Sequence, residues 1–418
     1  MKKNAVVSFK GQKDINTTIN LTGSKSESNR ALIIAALSKG LVKVENLSDA
    51  ADTVILNKIL TDLKSNPATE KQTVDVGHAG TAMRFLTAYL STLPQQFTLT
   101  GSGRMQERPV AILVDALKTL GADISYAKNE GYPPLNINGG LDSAIAEVSI
   151  KGNVSSQYLS ALLIIAPTLP LGLALKIEGG LTSRPYVEMT LNMLASAGIE
   201  HSWTDDTIYI AHQQHEESTL TVEPDWSAAS YWYSIAALVD LAAITLPNLK
   251  EESLQGDSKI QDIMKALGVQ TSRVENGIVL KTGTAVDINE VLNLKDCPDL
   301  AQTIIVCAAV KGLNLAFTGL ETLKIKETNR VLALQQELAK IGVTLNEDNE
   351  VYTLNCDELA FPEKITIATY DDHRMAMAFA PLSLLIKEVE IEDYQVVEKS
   401  YPDFWKDLEK AGFTVEEI

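Results

Sequence analysis

Apolar residues fall in a recurring order along the chain. A stretch with helical spacing ends in a glycine, and a short alternating strand, a turn and a second strand follow. The order appears in VDALKTLGADISYAKNEGYPPLNI, LNMLASAGIEHSWTDDTIYI, IMKALGVQTSRVENGIVL and LQQELAKIGVTLNEDNEVYTL. Four and one residues before the glycines stand Leu117 and Leu120, Leu194 and Ala197, Met264 and Leu267, and Leu338 and Ile341. That i, i+3 spacing puts each pair on one buried stripe and makes the glycine a helix C-cap. Gly121, Gly198, Gly268 and Gly342 stand 77, 70 and 74 residues apart, and Gly412 of LEKAGFTV follows 70 residues later. LTDLKSN is a sixth, weaker copy, with Leu60, Leu63 and Lys64 in the glycine's place. One copy alone is generic α/β grammar, but the repeated spacing predicts six units of about 70 residues in the 418. Helices alternating with hairpins predict mixed α/β units rather than a doubly wound parallel sheet.

Composition narrows the class. A length of 418 residues suggests two or three domains, and 45% hydrophobic residues exclude a disordered or fibrous chain. Lys+Arg 36 against Asp+Glu 54 gives a net charge of −18. A field of that sign repels nucleic acid and anionic lipid, yet leaves room for a small anion in a locally basic cleft. Cys297, Cys307 and Cys356 share no CxxC spacing, which argues against disulfide scaffolds and zinc ribbons and for a reduced intracellular setting. The first residues lack the apolar core of a signal peptide. The uncharged run from Gly152 to Leu175 is broken by polar residues and by Pro167 and Pro170, so it reads poorly as a membrane span. The expectation is a soluble cytoplasmic protein. Spacing for metal ligands is absent, and His212 and His215 fall in a loop beyond the strand TIYIA.

Several helices begin with residues suited to an anion. Gly23-Ser-Lys-Ser-Glu-Ser-Asn-Arg30 precedes the apolar run ALIIAAL, where free N–H groups and the helix dipole favour negative charge. Lys25 and Arg30 add formal charge, and the spacing is not that of a nucleotide P-loop. Gly77-His-Ala-Gly-Thr-Ala-Met-Arg84 repeats the theme, with Gly80 permitting close backbone approach. Gly101-Ser-Gly-Arg104-Met-Gln-Glu-Arg108 has a GxG without the third glycine of a dinucleotide fingerprint. Val154-Ser-Ser-Gln157 and Thr182-Ser-Arg-Pro-Tyr186 offer hydroxyls and an amide, although ordinary N-caps look the same. In the second half, Asp299 reads by default as an N-cap, and Lys326 and Arg330 fall at i, i+4 on one helix face with Glu327 beside them, as a solvated helix start also would. His373 and Arg374 sit in the first turn of an apolar helix, where a cation opposes the dipole and calls for an anionic partner.

Taken together, GSKSESNR, GHAGTAMR, GSGRMQERP, SSQYLSALL, SRPYVEMTL, QGD, PDLAQT, KETNR, DDHRMAM and KSYPDF resemble, in this order, the 5-enolpyruvylshikimate-3-phosphate synthase family of enolpyruvyl transferases. The resemblance runs from about Ile19 to Phe404. It implies an inside-out α/β barrel fold: two similar domains, each of three repeated mixed-sheet and helix units, with the ligand cleft between them. The implied domains are residues 1–22 with 226–418, and residues 23–225. The crossings are placed near Leu21 to Ser24 and Val222 to Asp225, and the N-terminal strand joins the second domain.

The implied reaction moves the enolpyruvyl group of phosphoenolpyruvate to the 5-hydroxyl of shikimate 3-phosphate and releases phosphate. The resemblance implies a monomer with no metal and no organic cofactor. Both substrates are anionic, and ten of the 36 basic residues lie in the matched motifs: Lys25, Arg30, Arg84, Arg104, Arg108, Arg184, Lys326, Arg330, Arg374 and Lys399. By matching position, Arg30 holds the shikimate carboxylate, and Ser26, Ser155, Ser156, Ser183, Tyr186 and Lys326 line the shikimate phosphate pocket. Lys25, Gly80, Arg108, Gln157, Arg330, Arg374 and Lys399 surround phosphoenolpyruvate, with Lys25, Gln157 and Asp299 also meeting shikimate 3-phosphate. Asp299 would accept the hydroxyl proton, Glu327 would protonate the enol methylene, and Lys25 would stabilise the tetrahedral intermediate. Three positions depart from the family pattern: His78 and Thr322 stand where asparagine is common, and Asn329 replaces an aspartate. Gly80 in an intact AGTAMR matches the glyphosate-sensitive pattern. A related transferase acting on a UDP-sugar usually carries a cysteine in the loop matched by GSGRMQERP, and this chain has none there. A non-catalytic anion sensor would not need Lys25, Asp299 and Glu327 together.

Overall fold

The computed structural model describes residues 3–65, 71–141, 143–250, 252–286 and 291–418. The chain forms two compact units, Met1–Thr22 with Glu223–Ile418, and Gly23–Val222. The second crossing thus lies within the expected Val222 to Asp225, with the domain boundary three residues before the expected residue 225, and the bonding of Glu223 explains it. Its carboxylate accepts from Trp226 Nε1 at 2.8 Å, Lys250 N at 2.8 Å and Ser253 Oγ at 2.5 Å, all in the later unit. Val222 O instead accepts from Asn46 Nδ2 at 2.7 Å in the other unit.

One four-stranded sheet motif recurs. Gln72–Asp75 pairs in parallel with Gln96–Thr100 across the helix Gly80–Thr92. After the helix Ala111–Thr119, the hairpin Asp123–Tyr126 and Leu135–Asn138 returns antiparallel, its second strand beside Gln96–Thr100. Glu147–Lys151, Leu173–Glu178, Thr207–Ile210 and Ser202–Thr204 repeat that order. The other unit has three such sheets, and in two of them the N-terminal segment supplies a strand. Asp14–Thr18 pairs in parallel with Leu241–Pro247, and Ala5–Ser8 lies between Glu388–Ile391 and Thr414–Glu417. The segment therefore folds with Glu223–Ile418, where Val7, Ile15 and Ile19 join the core.

The glycine pattern has a direct backbone cause. Gly121, Gly198, Gly268, Gly342 and Gly412 all have positive φ, from 75° to 97°, the left-handed conformation that ends a helix with least strain. The paired stripe residues before them are buried, the most exposed being Ala411 at 8%. The sixth copy departs from the pattern. Lys64 does not stop its helix, which continues through Ser65, and residues 66–70, including Asn66 of the copy, lie outside the described residues. Its sheet is only the parallel pair Val42–Glu45 and Ser218–Thr221. Five sheets are thus four-stranded and one is two-stranded among the described residues.

Strands such as Glu147–Lys151 alternate exposed and buried positions, so one sheet face meets solvent. Ala301–Val310 is buried at every position, and Ser156–Ile165 at all but Gln157. Within each unit the sheets therefore lie outside and apolar helices inside. Packing fixes those helices, and their first turns carry the candidate chemistry.

Candidate active site

In Gly23–Val222, four helix N-termini are tied together by side chains. Ser24 Oγ caps the helix Lys25–Leu37 by accepting from Glu27 N, and Ser155 Oγ caps Ser156–Ile165 by accepting from Gln157 N, both at 3.4 Å. Gln157 Nε2 donates to Thr81 Oγ1 at 3.1 Å, joining that turn to the helix Gly80–Thr92. Ser183 precedes the helix Arg184–Ser196 in a left-handed conformation, φ 55°. Arg30 crosses this group. It donates to Thr190 Oγ1 at 2.7 Å, Ser26 O at 2.8 Å, Ser160 Oγ at 3.1 Å and Tyr186 O at 3.2 Å. Burial pulls its pKa down to about 10, against the favourable charges of Tyr186 and Glu27. Four of the five N–H donors of a guanidinium are thus used inside the fold. One Nη1 hydrogen is left for the carboxylate that the resemblance assigns to Arg30.

Lys25 stands 3.7 Å from the buried carboxylate of Asp52. Arg108 follows the short 3-10 turn Met105–Glu107, and its Nε is buried with no hydrogen-bond partner among the described residues. A Cβ on Gly80 would lie 2.5 Å from Arg108 Nη1 and 3.1 Å from Arg84 Nη1. The glycine therefore lets two guanidinium groups pack against the first turn of its helix, and a side chain there would displace the end of Arg108. Ser156 and Ser183 are buried, while Ser26, Ser155, Gln157 and Tyr186 are half-buried around the same helix starts.

The second group lies in Met1–Thr22 with Glu223–Ile418, and is built on one guanidinium. Arg330, 2% exposed, donates to Asp372 Oδ2 at 2.7 Å, Asp299 Oδ1 at 2.9 Å and Glu327 Oε2 at 3.0 Å. Asp299 Oδ2 also forms an ion pair with Arg374 Nη2 at 3.0 Å, and Oδ1 lies 3.7 Å from Lys326 Nζ. Lys399 Nζ stands 3.5 Å from Glu327 Oε1. Burial works to raise the Asp299 carboxyl, but Arg374, Lys326 and Arg330 outweigh it and hold it well below the usual carboxylate range. Burial lowers the Lys326 ammonium in spite of Asp299, and the three carboxylates raise Arg330 against its own burial.

Two local readings of the sequence are corrected here. Asp299 is not the cap of the helix Ala301–Val310; it sits in the 3-10 turn Pro298–Leu300, and its oxygens go to cations instead of backbone N–H groups. Lys326 and Glu327 do not share a helix face with Arg330, because the helix Arg330–Ala339 begins only at the arginine. Asn329 caps it by accepting from Leu332 N at 3.2 Å, so the departure from aspartate keeps the cap and loses a charge. The anion called for beside Arg374 is Asp299.

The sequence reading missed four supporting residues. Asp372, fully buried, accepts from Arg330 Nε and caps Arg374 N at 2.9 Å. Asp257, in the QGD segment, receives a very short hydrogen bond from Ser227 Oγ, whose oxygen accepts from Arg374 at 3.4 Å. Burial and then the charge of Asp299 push Asp257 up to about 6. Ser160 and Thr190 hold Arg30. An acid directly before a cationic helix start could have revealed Asp372, but nothing local marks Ser160 or Thr190. Among the described residues, no group of three or more His, Cys, Asp or Glu could hold a metal ion, and no helix is long and apolar enough to cross a membrane.

Comparison with known proteins gives this arrangement its context. The sequence profile of EPSP synthase (3-phosphoshikimate 1-carboxyvinyltransferase) matches residues 9–408. A 3-phosphoshikimate 1-carboxyvinyltransferase of Bacteroides fragilis is 48% identical over 405 residues, 96% of each chain. One from Shewanella sediminis is 35% identical over 414 residues, covering 93% of this chain and 95% of its own. The fold is also that of an EPSP synthase from Acinetobacter baumannii, with a TM-score of 0.79 at 18% identity over 99% and 100% of the two chains. The enolpyruvyl transferase NikO from Streptomyces tendae gives a TM-score of 0.73 at 14% identity over 100% of this chain and 99% of its own. The chain belongs to the EPSP synthase family.

Proposed function

We propose that this enzyme transfers the enolpyruvyl group of phosphoenolpyruvate to the 5-hydroxyl of shikimate 3-phosphate, with chemistry at Asp299 and Glu327 and anion binding by the surrounding cations. The observation that carries this reading is the sharing of one buried guanidinium by the two acids. Asp299 and Glu327 each accept from Arg330 through a different nitrogen, so they are held apart in one frame. Addition to an enol phosphate needs a base at the attacking oxygen and an acid at the methylene carbon, and two separated carboxyl groups supply them. In the first step the 5-hydroxyl oxygen bonds to C2 of phosphoenolpyruvate, its proton passes to Asp299, and C3 takes a proton from Glu327. In the second, C3 returns its proton to Glu327 while the C2–O bond to phosphate breaks and the departing oxygen takes the proton held by Asp299, restoring the alkene and both carboxyl groups and releasing hydrogen phosphate.

Charge balance supports the division of labour. Arg330, Arg374 and Lys399 are assigned to phosphoenolpyruvate, and the first two help to depress Asp299. An arriving anion offsets part of their field, which strengthens Asp299 as a base when substrate is present. Lys25, Arg108 and Gln157 complete the phosphoenolpyruvate contacts. Ser26, Arg30, Ser155, Ser156, Ser183, Tyr186 and Lys326 bind shikimate 3-phosphate. We also infer a cytoplasmic monomer, in keeping with the three buried cysteines without disulfides; light scattering after gel filtration tests the mass.

Phosphate release from phosphoenolpyruvate distinguishes the readings. Shikimate 3-phosphate should support it and a UDP-sugar should not; turnover with only the UDP-sugar would refute the assignment. Lys25→Met and Glu327→Gln should each lose roughly 10²–10⁴ in kcat while still binding shikimate 3-phosphate by calorimetry.

A further inference from the structure

Away from its helix N-termini, Gly23–Val222 holds a cavity of about 540 Å³. The wall includes Leu37 and Ser38 at the end of Lys25–Leu37, Tyr89 and Thr92 at the end of Gly80–Thr92, and Thr168 and Leu169 beyond Ser156–Ile165. Along Lys25–Leu37 the cavity stands roughly 18 Å from Lys25, at 1.5 Å per residue. It is therefore a separate site at the far ends of the helices whose first turns carry Lys25, Gly80 and Gln157.

Helix C-termini expose carbonyls that favour a cation or a donor. Here the chain meets them with its own hydroxyls. Ser38 Oγ donates to Ala35 O at 2.8 Å, Thr92 Oγ1 to Tyr89 O at 2.7 Å and Thr168 Oγ1 to Ile165 O at 2.7 Å. The basic groups on the wall are not needed for that purpose. Lys39 lines the cavity and makes no ion pair with a described residue. His212 Nδ1 bonds Leu169 O at 3.0 Å, so the ring is fixed and its Nε2 is left over. His215 is 7% exposed, and its Nε2 is buried with no hydrogen-bond partner. An unpaired buried polar atom of that kind is costly, and it leaves the ring without an internal partner beside the cavity.

The hydrocarbon side of the wall is made by Leu37, Leu41, Leu93, Leu141, Pro167 and Leu169, with the neutral amides of Gln213 and Gln214 beside the histidines. Among the described residues, no Asp or Glu lines it, in a chain whose net charge is −18. The volume lies in the range of small-molecule sites. We propose that this cavity binds a small apolar monocarboxylate, with its hydrocarbon body against the leucines and its carboxylate at Lys39 and His215. A phosphate ester does not suit the site, because no arginine and no helix N-terminus faces the cavity. The inference does not depend on the roles assigned to Asp299 or Glu327.

The probe is 3-phenylpropionate, titrated calorimetrically into the full chain with phosphoenolpyruvate saturating, so that the cations assigned to phosphoenolpyruvate are occupied, and Lys39→Met separates the cavity from the remaining ones. Saturable binding is expected, at least about tenfold weaker in Lys39→Met and about tenfold weaker for the uncharged 3-phenylpropanamide. Because Lys39 is exposed, Lys39→Met keeps its fold and its transferase activity. In the unsubstituted chain the imidazole ¹⁵N signals of His212 and His215 should move with the probe, while those of His78 and His201 stay. No binding up to about 10 mM, equal binding of acid and amide, or binding indifferent to Lys39→Met would each overturn the proposal.

Discussion

The two clusters hold similar cations by opposite means. Around Arg330 the positive charges are matched by the molecule's own acids, Asp299, Glu327 and Asp372. In Gly23–Val222, Arg30 is held by hydroxyls and carbonyls, and Arg108 makes no ion pair with a described residue. Carboxylates in the first cluster can move protons, and they also hold the cations in place before substrate arrives. A guanidinium bonded only to neutral groups keeps its full charge for an external anion, and burial penalises that charge until the anion binds. The first arrangement suits chemistry and the second suits binding.

Removing the shared guanidinium should break the contrast most severely. Arg330→Met takes the guanidinium from the fully buried Asp372 and one of the cations from Asp299 and Glu327, and loss of one partner of a buried pair costs about 3–5 kcal/mol. Urea unfolding should show that loss, and phosphate release should vanish. Arg108→Met is the opposite test, since no internal acid depends on it. The melting temperature should hold while kcat/KM for phosphoenolpyruvate falls roughly 10–100-fold, as for the loss of a hydrogen bond to a charged group. An equal loss of stability in the two variants would erase the distinction between the clusters.

Gly80→Ala sharpens the picture of the binding cluster. The new methyl meets the far end of Arg108, which is flexible enough to move without unfolding the helix. The KM for phosphoenolpyruvate should rise on the order of tenfold, and glyphosate inhibition should weaken with it. Unchanged glyphosate inhibition would remove Gly80 from that site. The smallest effect concerns Asp257. Its folded pKa of about 6 lies above its unfolded value near 4, so the folded chain holds the proton more tightly. Stability should therefore fall as pH rises from about 4 to about 6, by on the order of 2 kcal/mol or less. Asp257→Asn should flatten that fall in unfolding titrations. Asp299 has the reverse sign: its stabilising share is present above about pH 4 and lost as pH falls below it.

By itself the sequence determined the repeat, the family and most of the chemical groups. Glycine spacing was legible because a helix C-cap in the left-handed region is a local demand, met at Gly121, Gly198, Gly268, Gly342 and Gly412. The need of Arg374 for an anion was legible for the same reason, as a cation set against its own helix dipole. Tertiary structure decided the partners. Asp299 looked like a cap because a carboxylate before an apolar helix usually is one; only the approach of Arg330 and Arg374 from distant segments turned its oxygens away from the backbone. Asp372, Ser160 and Thr190 escaped notice because their value lies in contacts across the fold, and spacing along the chain carries no record of those. The two-stranded sheet of the sixth unit was equally hidden, because strand pairing is a long-range bond and Lys64 gives no local signal for where its helix stops.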